Sequence, residues 1–164
     1  MAEIKVNVMG AKNMVRLAQR YGTVTEEAIP YLRRKIFTDV ANMIESKVNA
    51  EINSKVGGRV PGWQRKSVGS GGGYAKYQPN YFILVPKRKV SGGHITQYLE
   101  RGFGTRRSRM EEKLNVKRKN SEHRYVRAKG FYRAAQTPAF TQARSMISRY
   151  ADEVAKELAA ALGG

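Results

Sequence analysis

Histidines and aspartates are the first residues to test for catalytic or metal-binding chemistry. His94 and His123 have no carboxylate and no second histidine at a spacing typical of metal ligands. The two aspartates, Asp39 and Asp152, each fall in a segment whose apolar pattern predicts a long helix. The chain has no cysteine, which excludes disulfides and thiolate ligands. The composition therefore predicts surface histidines and leaves few ligands for a metal site.

A Glu-x-Lys pattern at Glu111 and Lys113 is the main hint of an enzyme. Many metal-dependent nucleases use this spacing, with Mg²⁺ held by the glutamate and an upstream acidic residue. The upstream candidates are Asp39, in a predicted helix, and Glu100, and the pattern itself lies in an aperiodic segment. A nuclease is therefore the least favoured function. We expect a protein that is not an enzyme, with no catalytic residue, bound metal or cofactor.

A glycine cluster at residues 69–73 could suggest a phosphate-binding loop. A P-loop requires a Lys-Ser or Lys-Thr pair after its glycines, and none follows here. The glycines therefore indicate flexibility, and residues 57–76 are predicted to be a flexible connection.

Positive charge is the largest compositional signal. The net charge is +18 at pH 7. Residues 54–99 hold 8 basic and no acidic side chains, and residues 105–133 hold 11 and 3, so these two segments carry +16 of the total. Such a concentration indicates a polyanionic partner, an acidic neighbouring protein or a disordered, solvated loop. The sequence leaves these alternatives open.

Aromatic and basic residues are interleaved in the first of these segments. The aromatic residues are Trp63, Tyr74, Tyr77 and Tyr81, and the basic ones are Arg59, Arg65, Lys66 and Lys76. Stacking aromatics beside phosphate-neutralising cations can hold single-stranded nucleic acid. The same rings can instead fill the core. Because aromatics make up only 9% of the chain, core packing is the favoured interpretation.

A long amphipathic helix is predicted in the first third of the chain. Its apolar residues recur at spacings of three or four, namely Ile29, Leu32, Ile36, Val40, Ile44, Val48 and Ile52. Thr23 with Glu26 has the form of a capping box, whereas Pro30 favours a start near residue 29. Both starts remain open, and Gly57 is the predicted end.

A second long helix and a small sheet complete the prediction. The helix should begin at Thr137 as N-cap with Pro138 in the first turn. Its apolar stripe is Ala143, Ile147, Tyr150, Val154, Leu158 and Leu162. An opening strand is predicted to end at Gly10 and to be followed by a short helix. Residues 81–85 and 95–99 are predicted to form a β-hairpin that completes the sheet.

The predicted fold class is α+β, in a single domain of residues 1–164. A small antiparallel sheet should carry two long amphipathic helices packed on one face. Residues 105–133 have no sustained period and are predicted to be a basic loop. No apolar run approaches the roughly 20 residues that span a bilayer, and the N-terminus lacks a hydrophobic signal core. We expect a soluble protein with no membrane partner.

Four short segments carry a resemblance to a known family. They are the opening strand that ends at Gly10, the glycine- and proline-containing residues 57–62 after the first long helix, Glu100 shortly before Gly104 and Thr105, and Pro138 with Phe140 at the C-terminal helix. In order and spacing these segments resemble the bacteriophage tail-completion or neck proteins, also described as head–tail joining or minor tail proteins. The resemblance spans nearly the whole chain.

This resemblance implies a structural virion protein without cofactor or catalytic residues. Members of the family form rings, commonly hexamers, that finish the upper end of the tail so that it joins a filled head. The implied partners are further copies of the chain, adjacent connector and tail-tube or terminator proteins, and non-specifically the genomic DNA. The implied location is the neck of the virion, with the host cytoplasm as the site of assembly.

Two segments could act as arms of such a ring subunit. Residues 57–76 and 105–133 are polar enough to order only on contact with a neighbour. The candidate DNA- or partner-contacting residues are Arg106, Arg107, Arg109, Lys117, Arg118 and Lys119. The main alternative is a free nucleic-acid-binding protein of the ribosomal or packaging type. The isoelectric point near 10.4 favours it, but the charge avoids both long helices, so no recognition helix is evident.

Overall fold

The structure, a computed structural model, describes residues 2–7, 25–85, 90–103 and 126–162. Its first helix, α1, spans Thr25–Lys55 and supplies a large part of the core. The predicted apolar stripe is confirmed from Ile36 onward, because five side chains at spacings of four are almost fully buried, namely Ile36, Val40, Ile44, Val48 and Ile52. The side chains of Ile29 and Leu32 lie outside the described part of the helix. The helix already begins at Thr25, so Pro30 lies inside it.

The end of α1 is also as predicted. Gly57 adopts a φ of +66°, a conformation that favours glycine. Its N–H donates to the Ile52 carbonyl at 2.8 Å, so the last turn closes on a left-handed residue. The chain then leaves the helix toward the sheet.

Three strands form one antiparallel sheet in the order β1-β3-β2. The strands are Ile4–Asn7 (β1), Gln64–Val68 (β2) and Tyr74–Pro79 (β3). Ile4 and Tyr77 are paired in register and are both buried in the core that includes the stripe of α1. The predicted α+β class, with two long helices on one face of a small antiparallel sheet, is confirmed.

The glycine-rich segment 57–76 is not the predicted connection, because it contains much of the sheet. It holds a turn of 3-10 helix at Pro61–Trp63, all of β2 and the first half of β3. Gly72 lies in the turn between the strands with a φ of +64°, and a Cβ there would lie 2.7 Å from the Arg33 carbonyl carbon. The turn therefore packs directly on the backbone of α1.

The predicted hairpin of residues 81–85 with 95–99 is wrong. Residues 95–99 belong to a second helix, α2, which spans Gly92–Arg101. Ile95 and Leu99 are four residues apart, so they suit one face of a helix as well as alternate positions of a strand. Over so short a run, the spacing of the apolar residues alone does not distinguish a helix from a strand.

A local cap and two close contacts decide in favour of α2. The Ser91 hydroxyl accepts a hydrogen bond from the His94 N–H at 3.3 Å, which is the arrangement of a helix N-cap. A Cβ at Gly92 would lie 2.6 Å from the Trp63 ring, and one at Gly93 would lie 2.8 Å from Tyr81. The paired glycines therefore let the first turn of α2 pack against two aromatic residues.

The C-terminal helix, α3, spans Phe131–Leu162. The predicted start at Thr137 and Pro138 is wrong, because the helix begins earlier and Pro138 lies exposed within it. Phe131 and Tyr132 are buried, and the buried stripe continues with Ala135, Ala139 and Ala143. Alanines at spacings of four allow close packing of α3 against α1.

No helix within the described ranges is both long and apolar enough to cross a membrane. The short helix predicted after Gly10 lies outside the described residues, as does most of the basic loop predicted at 105–133. The last residues of that loop, from Phe131 onward, belong to α3.

Candidate interaction surfaces

The structure describes three of the residues that carry the family resemblance. Glu100 lies at the end of α2, Pro138 is exposed within α3, and Phe140 is half-buried and packs against the core. Outside the described residues lie Gly10, Gly104, Thr105 and the candidate basic residues Arg106, Arg107, Arg109, Lys117, Arg118 and Lys119.

The Glu100 carboxylate caps the start of α3. One carboxylate oxygen accepts from the Tyr132 N–H at 3.0 Å and the other from the Arg133 N–H at 3.1 Å. N–H groups in the first turn have no partner inside a helix, and a negative charge there also complements the helix dipole. This long-range contact explains why α3 does not start at the local capping pattern of Thr137 and Pro138.

Backbone hydrogen bonds hold the same joint between α2 and α3. The Lys129 N–H donates to the Leu99 carbonyl at 2.8 Å. Phe103 and Val126 form an isolated antiparallel bridge just beyond α2. The end of α2 and the start of α3 are therefore fixed to each other, although residues 104–125 separate them along the chain.

A cleft of about 360 Å³ lies beside this joint. Glu3, Glu100, Arg101 and Arg133 are among its lining residues. The Glu3 carboxylate pairs with Lys76 at 2.8 Å, and Glu100 caps α3. Both carboxylates of the cleft are therefore engaged in holding the fold.

Two other groups considered for chemistry, His94 and Asp39, also have structural partners. His123, Glu111 and Lys113 lie outside the described residues. His94 is exposed as predicted, with Nδ1 2.6 Å from the Ser91 hydroxyl and its ring edge-on to Tyr81. Asp39 accepts from the Tyr150 hydroxyl at 2.9 Å, a bond that links α1 to α3 and raises the pKa of Tyr150. Within the described ranges, no group of three or more potential ligands is placed to hold a metal ion.

Core packing is confirmed for two of the interleaved aromatic residues. Tyr77 is 1% exposed and donates to Asn49 Oδ1 at 2.9 Å, and Trp63 is half-buried against the core. Of the neighbouring cations, Lys66 forms an ion pair with Glu45 at 2.5 Å. These residues hold the sheet against α1.

A polar network joins β2, α2 and α3 at one end of the sheet. The Tyr132 hydroxyl donates to Gln64 Oε1 at 2.8 Å, and Gln64 Nε2 donates to the Thr96 hydroxyl at 3.0 Å and to the Val60 carbonyl at 2.8 Å. Thr96 is fully buried and donates to the Gly92 carbonyl at 2.8 Å. A network whose members are all bonded fixes the relative positions of its elements.

Alkaline pH is expected to destabilise the fold through Tyr77 and Tyr132. Burial raises the pKa of Tyr77 to about 12 and also raises the pKa of Tyr132. The unfolded tyrosines ionise near pH 10, so the stability is intact below that pH and is lost as the pH rises toward 12. At roughly 1.4 kcal/mol per pKa unit, Tyr77 alone should account for a loss of at most about 3 kcal/mol.

Urea denaturation between pH 8 and pH 12 would measure this loss. Tyr77→Phe removes one ionising group, so its free energy of unfolding should fall less steeply with pH. Ile44→Val lowers stability without removing a phenol and should keep the wild-type pH dependence. The same slope in all three proteins would contradict the assignment.

Two large apolar side chains are exposed in the loop before α2, here called the apolar loop (residues 82–84). Phe82 is 85% exposed and Leu84 is 70% exposed. The Phe82 N–H donates to Asn80 Oδ1 at 3.1 Å, and Leu84 forms a β-bridge with Ser91. The backbone of the loop is thus held in place while its two apolar side chains face water.

The face of the sheet opposite the long helices is polar and basic. It comprises the residues that alternate with the buried ones of each strand, namely Lys5, Arg65, Ser67, Tyr74, Lys76 and Gln78, and is here called the open sheet face. Lys5 and Arg65 are exposed, whereas Lys76 is half-buried. The buried strand residues Ala75 and Tyr77 point to the other face.

Sequence reasoning missed the cap on α3, the apolar loop and the open sheet face. The cap joins Glu100 to residues more than thirty positions later, and no local pattern reports such a contact. A signal for the open sheet face was present, because Tyr74, Lys76 and Gln78 alternate with less polar residues in the period of a strand. The surrounding glycines obscured it.

No protein-family model, curated protein or solved structure matches the chain. What the protein does is therefore inferred from its residues and their geometry.

Proposed function

We propose that the protein is a structural subunit of a bacteriophage neck, a tail-completion or head–tail connector protein that works by assembling into a ring. The observation that carries the proposal is the apolar loop, with Phe82 and Leu84 exposed on a fixed backbone. Large apolar side chains exposed together mark protein contacts more often than scattered single ones do. The neighbouring copy in the ring is the proposed occupant.

The size of this surface suits association that depends on concentration. Covering Phe82 and Leu84 contributes about 1.5–3 kcal/mol for each side chain. Association also costs several kcal/mol in lost translation, rotation and side-chain freedom. The free subunit should therefore be monomeric or weakly associated, and rings should close at high concentration or beside the neighbouring neck proteins.

The joint between α2 and α3 adds support. Two of the segments that carry the family resemblance lie at Glu100 and near Phe140, and the first of them caps the helix that contains the second. A ring subunit needs such a rigid body, because each interface must repeat with the same geometry until the ring closes. In this proposal the ring is a hexamer located in the virion. Its partners are adjacent connector and tail-tube or terminator proteins, and it catalyses no reaction.

The second candidate is a free nucleic-acid-binding protein. The net charge of +18 and the cations of the open sheet face favour it. The two functions differ in how binding responds to salt, because contacts made mainly with phosphates weaken steeply as salt rises. Tight, sequence-specific binding at physiological salt would select the second candidate.

Ring formation can be tested by sedimentation and negative-stain electron microscopy of the full chain over a range of concentrations. We expect monomers when dilute and closed rings when concentrated. Phe82→Ser with Leu84→Ser should abolish the rings without lowering the melting temperature, because both side chains are exposed in the free subunit. The control pair Phe82→Leu with Leu84→Met keeps the apolar surface and should still form rings.

Two outcomes would contradict this function. One is a stable dimer whose mass does not change with concentration. The other is rings that form equally well when both apolar side chains are serine.

A further inference from the structure

The open sheet face places cations of neighbouring strands close together. Lys5 on β1 lies directly opposite Lys76 on β3 in the antiparallel register. Like charges placed directly opposite each other destabilise a sheet. Arg65 on β2 adds a third cation, and with strands about 4.8 Å apart the three residues fall within a patch roughly 10 Å wide.

The cations of this face are only partly neutralised. Glu3 pairs with Lys76 at 2.8 Å. The Lys5 ammonium lies 5.4 Å from the centre of the Tyr74 ring, and within the described part of the chain neither Lys5 nor Arg65 forms an ion pair. The face therefore keeps two exposed positive charges.

The opposite face of β2 carries a lysine that stabilises the fold. Lys66 follows Arg65 directly but points toward α1, where its ammonium contacts the Glu45 carboxylate at 2.5 Å and Asn42 Oδ1 at 2.7 Å. Lys55, at the end of α1, pairs in the same way with Glu51 at 2.9 Å. These two lysines, which stabilise the fold, have carboxylate partners, whereas Lys5 and Arg65 have none among the described residues.

The chemistry of the face fits a nucleic acid better than a protein. Protein interfaces have an apolar centre rich in aromatic and aliphatic side chains. Interfaces with nucleic acids are polar and positively charged. Ser67 and Gln78 add hydrogen-bonding groups between the cations, and Tyr74 is the one aromatic residue of this face. The strongly exposed side chains of Phe82 and Leu84 lie in the apolar loop instead.

We propose that the open sheet face binds the phosphate backbone of nucleic acid, without sequence preference. Lys5 and Arg65 replace the counterions of neighbouring phosphates, and release of those counterions supplies the affinity. This inference goes beyond ring assembly and does not rest on it. The residues of the two surfaces do not overlap, so either proposal can fail while the other stands.

The test measures binding of the full chain to a fluorescent oligonucleotide of mixed sequence, as a single strand and as a duplex, across a series of salt concentrations. Lys5→Gln with Arg65→Gln removes two charges from the open sheet face. Lys55→Gln with Lys66→Gln removes two charges elsewhere and is the matched control. The open-face variant should bind about tenfold more weakly at low salt. Its plot of log affinity against log salt should lose about 0.7–0.9 in slope for each phosphate contact removed.

Several results would overturn the proposal. Equal weakening in both double variants would mean that total charge, rather than this face, governs binding. Complete loss of binding after neutralising Arg106, Arg107, Arg109, Lys117, Arg118 and Lys119, with no effect of the open-face change, would assign the contact to that segment. If polyglutamate competes as effectively as unlabelled oligonucleotide at equal charge, the open sheet face would be assigned to acidic proteins instead. If the open-face variant melts early, the single changes Arg65→Gln and Lys66→Gln provide the same comparison.

Discussion

Gly72→Ala is expected to lower the free energy of unfolding by about 3 kcal/mol. The added Cβ would lie 2.7 Å from the Arg33 carbonyl carbon and 2.7 Å from the Arg34 nitrogen, both of them backbone atoms that no side-chain rotation can move. The φ of +64° adds strain of roughly 1–2 kcal/mol for any residue with a Cβ, and an overpacked contact adds about 1–3 kcal/mol. The β2–β3 turn must lift from α1 to accept the change.

Gly71→Ala is the matched control for this prediction. A Cβ at Gly71 would meet no atom within 4 Å. Gly71→Ala should therefore change the free energy of unfolding only slightly, although Gly71 is next to Gly72. Urea denaturation of both variants gives the two free energies directly. Equal effects at the two positions would mean that the turn does not pack on α1 as described.

Glu100→Ala should lower the free energy of unfolding by about 3 kcal/mol, a similarly large effect. The change removes both acceptors of the Tyr132 and Arg133 N–H groups, and hydrogen bonds to a charged group contribute about 1.5–3 kcal/mol each. It also removes a favourable charge from the positive end of α3, which is typically worth about 0.3–1 kcal/mol.

Glu100→Gln separates the hydrogen bonds from the charge. The amide keeps one oxygen that can accept from the helix, so its effect should be smaller than that of alanine. Glu153→Ala, at an exposed position of α3, controls for loss of a glutamate and should change stability by less than about 0.5 kcal/mol. A Glu100→Ala protein as stable as that control would show that α3 is capped in some other way.

The long helices could be predicted from the sequence because their patterns persist. The stripe from Ile36 to Ile52 repeats at spacings of four over several turns, and a pattern that persists this long is typical of a helix and exceeds the length of an ordinary strand. The opening strand at Ile4 and the end of α1 at Gly57 were found from similarly local signals. The α+β class followed from these elements.

The remaining errors have physical causes that a local pattern does not contain. Seven glycines between residues 57 and 73 indicate a loop, yet one of them is needed because the hairpin lies against the backbone of α1. Thr137 and Pro138 form a good local start for a helix, yet Glu100 caps α3 earlier in the chain, at Tyr132 and Arg133. In both cases a contact between distant segments overrides the local preference.

The bridge between Phe103 and Val126 makes the fold of the body largely independent of the length of the segment that joins these two residues. With the two ends fixed beside each other, the length of the intervening segment has little influence on the body, because doubling a loop costs only about 0.6 kcal/mol in closure entropy. The cost of closure therefore places little restraint on how many residues join Phe103 to Val126. Related chains are expected to keep the same body while differing in the number of residues between Phe103 and Val126.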